Sequence, residues 1–289
     1  MKFYVISIVA IFAALGIGIY IGFTLDTQSF LVEQKDDIVG KLEESFDFLK
    51  SENQDLKLTI KEIEAKNDNY KHFIDSTYEE IIKDKLKGKK IAIIETKDDY
   101  MYSGIGQILE VAGANVVNVA TITDKIMDKG TLKNIYNELN ISVENSNLIT
   151  NAANEIAKSI ITGEESILVK KLEESRIMDL VGTIDEPIDY VIIAGGSVKE
   201  DRNRITLVDK TIVDVCKDMN KAVIGIEKLK ANYSYMEAYK GFKISTVDNV
   251  DTTMGKVSLI LAMEGRPGHY GIKQTAEELV PNLKLSVLE

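Results

Sequence analysis

The chain's side chains that bind soft metals or act as nucleophiles are one cysteine, Cys216, two histidines, His72 and His269, and eight methionines among 289 residues. A soft-metal site needs thiolates, thioethers or imidazoles gathered at short spacing. Here no Cys-x-x-Cys or Met-x-Met pair occurs. Cys216 falls on a helix predicted before the last sheet strand, where a small buried apolar role is the default. His72 lies on a long helical segment, and His269 follows Gly265-Arg266-Pro267-Gly268 in a loop, so the two are not expected to share a site. Met263 with His269 offers two soft donors, which make only a weak site. The metal ligands, if any, are not defined by spacing.

Other constellations are equally thin. Asp98-Asp99 and Asp248-x-x-Asp251 have the spacing of turn and helix-cap residues rather than of a general acid and its base. Gly195-Gly196 follows an apolar strand pattern and admits close approach to backbone N–H groups. Yet nothing matches a dinucleotide fingerprint or a phosphate loop with its Lys-Ser/Thr ending. Gly104-x-Gly106 is expected inside the helix that follows the first strand, which does not supply one either. The chain is therefore expected not to be an enzyme and to carry no resident cofactor. With a single cysteine no disulfide forms within the chain, which leaves the redox compartment open.

The elements that carry these residues fall into three segments: 1–25, 26–86 and 87–289. From Phe3 to Leu25 no charged side chain occurs over 23 residues, until Asp26. As a helix that run is roughly 34 Å long, against roughly 30 Å of bilayer hydrocarbon. It is longer than the apolar core of a signal peptide, and Gly22-Phe23-Thr24-Leu25 makes a poor cleavage site, so a retained anchor is expected. Lys2 precedes the span and the next basic residue is Lys35. That bias places the N-terminus in the cytoplasm and the remaining chain outside the cytoplasmic membrane. Ala10, Ala14, Gly18 and Gly22 recur every four residues and form one shallow ridge on which a second membrane helix can pack.

Beyond the anchor, apolar residues alternate at spacings of three and four. Val39, Phe46 and Ile60 take heptad position a, Leu42, Leu49, Leu56, Ile63 and Tyr70 take d, and Ile74 closes the series. Asn53 and Asn67 occupy the remaining a positions, and flanks such as Glu52, Asp55, Lys57 and Lys61 are charged. This is a coiled-coil pattern, and a buried Asn at a favours aligned parallel strands. A parallel homodimer is expected; a helix folded back on its own globular part is the competing reading. No Pro precedes Pro187, while Gly40 weakens the helix near its start.

From about Lys90 the pattern becomes α/β. Ile91–Ile94 reads as a buried strand, Ile105–Val111 as a helix, Ala112-Gly113-Ala114 as a turn, and Val116–Ile122 as a second strand: one βαβ unit. Tyr190–Ala194, a helix over Ile205–Met219 and the strand Ala222–Ile226 make another. Residues 124–180 between them read as a mostly helical insertion. The expected fold is a Rossmann-like, open, mainly parallel sheet with helices on both faces. A net charge of 35 − 46 = −11 argues against nucleic acid as a partner.

Near the C-terminus stand Ser245-Thr246-Val247-Asp248-Asn249-Val250-Asp251-Thr252-Thr253-Met254-Gly255-Lys256 and then Tyr270-Gly271-Ile272-Lys273. With the glycine-containing anchor, the coil and the Ala-Gly-Ala turn, these motifs resemble the MctB-type copper transporter family over nearly the whole chain. The motif residues Thr246, Val247, Asp248, Asp251, Gly255, Tyr270 and Gly271 carry the specific part. The resemblance implies a bacterial envelope protein with one membrane span, linked to copper homeostasis. The motif residues themselves read as structure: Asp251 or Thr252 as a helix cap, Gly255 and Gly271 as close-packing or turn positions. Membrane lipid, a second copy and an envelope protein are the expected partners. An envelope or cell-division scaffold without metal transport is the alternative.

Overall fold

The computed structural model describes residues 2–102 and 104–282; the last seven residues of the segment 87–289 lie outside the described residues. The chain divides into two compact units, Met1–Lys71 and His72–Glu289.

The first unit is helical. Helix α1, Lys2–Ile82, runs through Gly40 without a break, in keeping with the absence of proline. Within it Phe3–Leu25 is the one described segment long and apolar enough to cross a membrane. Ala10, Ala14, Gly18 and Gly22 are exposed, and nothing lies within 4 Å of a Cβ built at Gly18 or Gly22. The a and d side chains are exposed as well: Leu42, Phe46 and Tyr70 are 63%, 68% and 67% accessible. Val39, Leu49, Asn53, Leu56, Ile60, Ile63 and Asn67 share that exposure.

The strands of the second unit are β1 Lys90–Glu95, β2 Asn115–Ile122, β3 Met178–Gly182, β4 Tyr190–Ala194, β5 Ala222–Ile226, β6 Ser245–Val247 and β7 His269–Tyr270. They form one seven-stranded sheet in the order β3-β2-β1-β4-β5-β6-β7. All neighbours are parallel except β2 and β3. Along β1 and β4 alternate residues feed two cores, as a sheet covered on both faces requires. Ala92, Ile94, Val191 and Ile193 face a core with α3 Lys129–Glu138, α4 Leu148–Thr162, α5 Ile167–Glu174, α7 Lys210–Asp218 and α8 Met236–Gly241. Ile91, Ile93, Ile192 and Ala194 face Ile82, Leu86, α2 Gly104–Val111 and α9 Thr253–Glu264.

The α/β architecture and the two βαβ units agree with the sequence pattern; four details differ. The mostly helical segment 124–180 runs at its end into an antiparallel edge strand: β3 begins at Met178, and its five residues, Met-Asp-Leu-Val-Gly, show no sustained apolar-polar alternation that would mark it. The helix of Cys216 precedes β5, which is not the last strand, because the short β6 and β7 extend the sheet. His269 accordingly opens β7 rather than lying in a loop. Gly104 opens α2 rather than lying within it. Helix α7 is also preceded by α6, Arg202–Arg204, and a π-helical turn, Ile205–Asp209.

Candidate functional site

The sheet order reverses between β1 and β4, and ligands of open α/β sheets usually bind outside the carboxyl ends of such strands. Here that place is occupied by the protein's own side chains. Beyond β1, Thr96 donates from Oγ1 to Asp209 Oδ1 at 2.9 Å, and Tyr239 on α8 donates to the same oxygen at 2.5 Å. The π turn Ile205–Asp209 inserts an extra residue into the helix, and Asp209 at its end is fully buried.

Arg204, also fully buried, donates from Nε to Thr96 O at 2.7 Å. Its Nη2 donates to the carbonyls of Ile122 and Thr123 at 3.0 and 2.9 Å. One guanidinium thus ties the ends of β1 and β2 to the helix leading to α7. Burial raises the Asp209 carboxyl to about 7, against hydrogen bonds from Tyr239 and Thr96 and the Arg204 charge, which act the other way. Among the described residues its Oδ2 has no hydrogen-bond partner.

The glycine pair after β4 is a tight turn beside this cluster. A Cβ at Gly195 would stand 2.3 Å from Tyr239 Oη, and Gly196 has φ 92°. Tyr102 Oη donates to Gly195 O at 2.5 Å, while Glu95 accepts from Tyr102 N–H and Thr121 Oγ1 at 2.8 and 2.6 Å. Asp99 accepts from Val198 N–H at 2.7 Å, so it is a loop tie, as its spacing suggests. Lys97 pairs with Asp124 at 2.8 Å, which holds that carboxyl below its usual range.

The two C-terminal motifs meet each other in space. Asp248, one residue past β6, accepts from the N–H groups of Ile272 and Lys273 at 2.9 and 2.8 Å. Gly271, at φ 137°, is required there, since a Cβ would come within 1.9 Å of Asp248 Oδ1. Lys273 then pairs with the fully buried Glu227 and donates to Lys228 O at 2.9 Å. Burial raises the Glu227 carboxyl, and Lys273 opposes that rise. Gly255 lets α9 approach the Asn249 carbonyl, 2.1 Å from where a Cβ would be.

Thr246 Oγ1 lies 2.9 Å from His269 Nδ1, and Val247 and Tyr270 are buried in the sheet. Thr252 is the residue that caps α9, accepting from Gly255 N–H at 3.0 Å with an extended backbone. Asp251 is not the cap: it accepts from Leu229 N–H at 2.8 Å, because its position before the cap turns its carboxylate toward the loop after β5.

The hydrogen bonds of the switch-point cluster tie loops and strand ends to one another. Among the described residues no group of three or more His, Cys, Asp or Glu side chains is placed to hold a metal ion. Cys216 is buried, and burial lifts its thiol to about 12. Thr96, Arg204, Asp209, Glu227 and Tyr239 are not marked by any motif; they lie up to 143 positions apart along the chain (96 to 239), and only the fold collects them.

The chain is 22% identical over 313 aligned positions to the "Copper transporter MctB" of Mycobacterium tuberculosis, covering 94% of this chain and 95% of that one. The protein of the same name from Mycobacterium bovis matches to the same extent. Among solved structures, the receiver domain of the histidine kinase CKI1 from Arabidopsis thaliana overlaps 63% of this chain and 95% of its own, at 14% identity and a TM-score of 0.28. The family described as "Copper transport outer membrane protein, MctB" matches residues 1–281, the apolar N-terminal run, the long helix and both C-terminal motifs included, and the chain belongs to that family.

Proposed function

We propose that this chain is a membrane-anchored, non-enzymatic protein of copper transport or homeostasis, acting as a parallel coiled-coil pair with its α/β unit outside the cytoplasmic membrane. The observation that carries the reading is the family match over residues 1–281. The exposed stripe from Val39 to Tyr70 supports the pairing, since apolar side chains at a and d are stable only when a second helix covers them. Copper is the cargo in this reading. One helix per chain cannot enclose a polar pathway, so movement of the ion requires several copies or another membrane protein. Membrane lipid, the second copy and an envelope protein are the partners, and the net charge of −11 disfavours nucleic acid.

Deleting the gene is expected to raise cellular copper and sensitivity to the metal; unchanged copper content refutes the role. A scaffold that docks an envelope or division protein without moving metal is the second reading. It is favoured by the switch point being filled with the protein's own side chains. Under it, the deletion strain keeps normal copper while the tagged full chain retains an envelope protein on pull-down.

A further inference from the structure

Within the second unit, the last turns of α1 form one side of an apolar groove of about 240 Å³. Phe73, Ile74, Tyr78 and Ile81 line that side, with Met254 and Leu261 of α9 and the segment 279–281 opposite. Phe73 is 67% exposed and Leu279 46%. A cavity of about 150 Å³ takes a benzene ring, so this groove has room for one aromatic side chain.

The heptad count identifies the side chain that fits. With Ile74 at a, Phe73 is at g and Tyr78 at e. In a parallel pair, g of one helix flanks e of the next heptad on the other. Upstream, the e positions are Glu43, Lys50, Lys57, Glu64 and Lys71, and the g positions are Ser45, Glu52, Thr59 and Lys66. Each of these is polar or charged, as flanks facing water should be. At 73 and 78 both flanks turn aromatic together, in the stretch of helix that borders the groove.

We infer that the groove is the seat for Phe73 of a second copy of this chain, entered reciprocally, so that the paired helices lock the two α/β units in a fixed arrangement. The inference rests on the parallel pairing proposed above. It differs from that pairing in requiring contact beyond the coil.

The chain has no tryptophan, so Phe73→Trp supplies a single reporter, and Leu56→Cys at position d reports pairing of the coil by disulfide formation. Cys216 is buried and does not interfere. Both substitutions are made in the full chain in detergent. The expected result is a disulfide at position 56, with the emission of the introduced tryptophan blue-shifted in the linked pair. In a separate chain that carries the same reporter, Leu56→Asp and Ile60→Asp split the coil, and the emission should then shift to the red.

Emission characteristic of water in a pair that does form the disulfide overturns the inference while the coiled-coil reading stands. Blue-shifted emission in both the paired and the split chain overturns it too, because the reporter is then covered by its own chain. If removing residues 283–289 alone abolishes that shift, the chain's own tail is the occupant and the inference is equally refuted. Failure of the position-56 disulfide under oxidation removes the pairing itself.

Discussion

Replacing Asp209 by Asn should flatten the dependence of stability on pH, because this carboxyl is fully buried and costly to ionise in the fold. Its ordinary value is 3.8, and burial raises it to about 7. A folded value above the unfolded one means that the folded state holds the extra proton between those limits. Stability from this group is therefore fully present below about pH 4 and is lost as pH rises through about 7. The span is about 3 units, and at about 1.4 kcal/mol per unit the whole effect is about 4 kcal/mol. Between pH 5 and pH 8 the part lost is about 2.5 kcal/mol by the same relation.

Asn keeps an oxygen for Thr96 and Tyr239 and cannot ionise. The variant should gain on the native chain by about 2.5 kcal/mol on passing from pH 5 to pH 8, whatever constant offset the amide introduces. Urea unfolding of the full chain in detergent, followed by tyrosine near-ultraviolet dichroism at several pH values, measures the difference. Subtracting the two chains removes the other titrating groups, including Glu227 and His269. A difference that stays constant across the range refutes the assignment of the buried charge to Asp209.

Three further outcomes follow from the motif geometry and the proposed coil. Gly271→Ala should cost several kcal/mol in unfolding experiments, about 2–4, since the position needs φ 137° and has no room beside Asp248, whereas Gly106→Ala, inside α2 with nothing within 4 Å, should stabilise by about 0.5–1 kcal/mol. Thr252→Ala should destabilise by about 1 kcal/mol through the lost α9 cap and be rescued by Ser, while Asp251→Ser should not behave as a cap substitution, which thermal melts of both variants distinguish. Replacing Asn53 and Asn67 together by Ile should raise the denaturant midpoint of the long helix and broaden its oligomeric distribution in light scattering; a lower midpoint with an unchanged mass tells against seam positions for both.

The parts of this fold that are legible in the sequence are those where one physical requirement dominates. Ile91–Ile94 and Tyr190–Ala194 belong to strands covered on both faces, so their composition alone marks them as inner strands. Strands β6 and β7 have three and two residues and begin with polar side chains, which leaves no periodic run to detect. The cap of α9 is ambiguous because Asp and Thr satisfy the same donor. Only the extended backbone at Thr252 decides between them. The polar cluster is hidden for a different reason: Asp209 sits inside an apolar helical pattern, where a single acid reads as one solvated position. A π turn carries it inward, and the spacing of the neighbouring residues does not announce that turn.

The cluster also bears on where activity is to be sought. At the switch point of an open sheet, a ligand is held by loop backbone and by a few polar side chains. In this chain several of the corresponding polar groups are engaged with one another, Arg204 with three carbonyls, Asp209 with Thr96 and Tyr239, and Tyr102 with Gly195, while Asp209 Oδ2 and Arg204 Nη1 have no hydrogen-bond partner among the described residues. Admitting a reactant would require breaking these bonds and leaving a buried guanidinium without acceptors, a cost of several kcal/mol. By contrast, the apolar side chains of the long helix and the groove beside Phe73 are already in contact with solvent. Covering them releases free energy without first disrupting the fold. Under the pairing proposed above, substitutions on those surfaces should alter assembly while leaving the unfolding midpoint of the α/β unit in place.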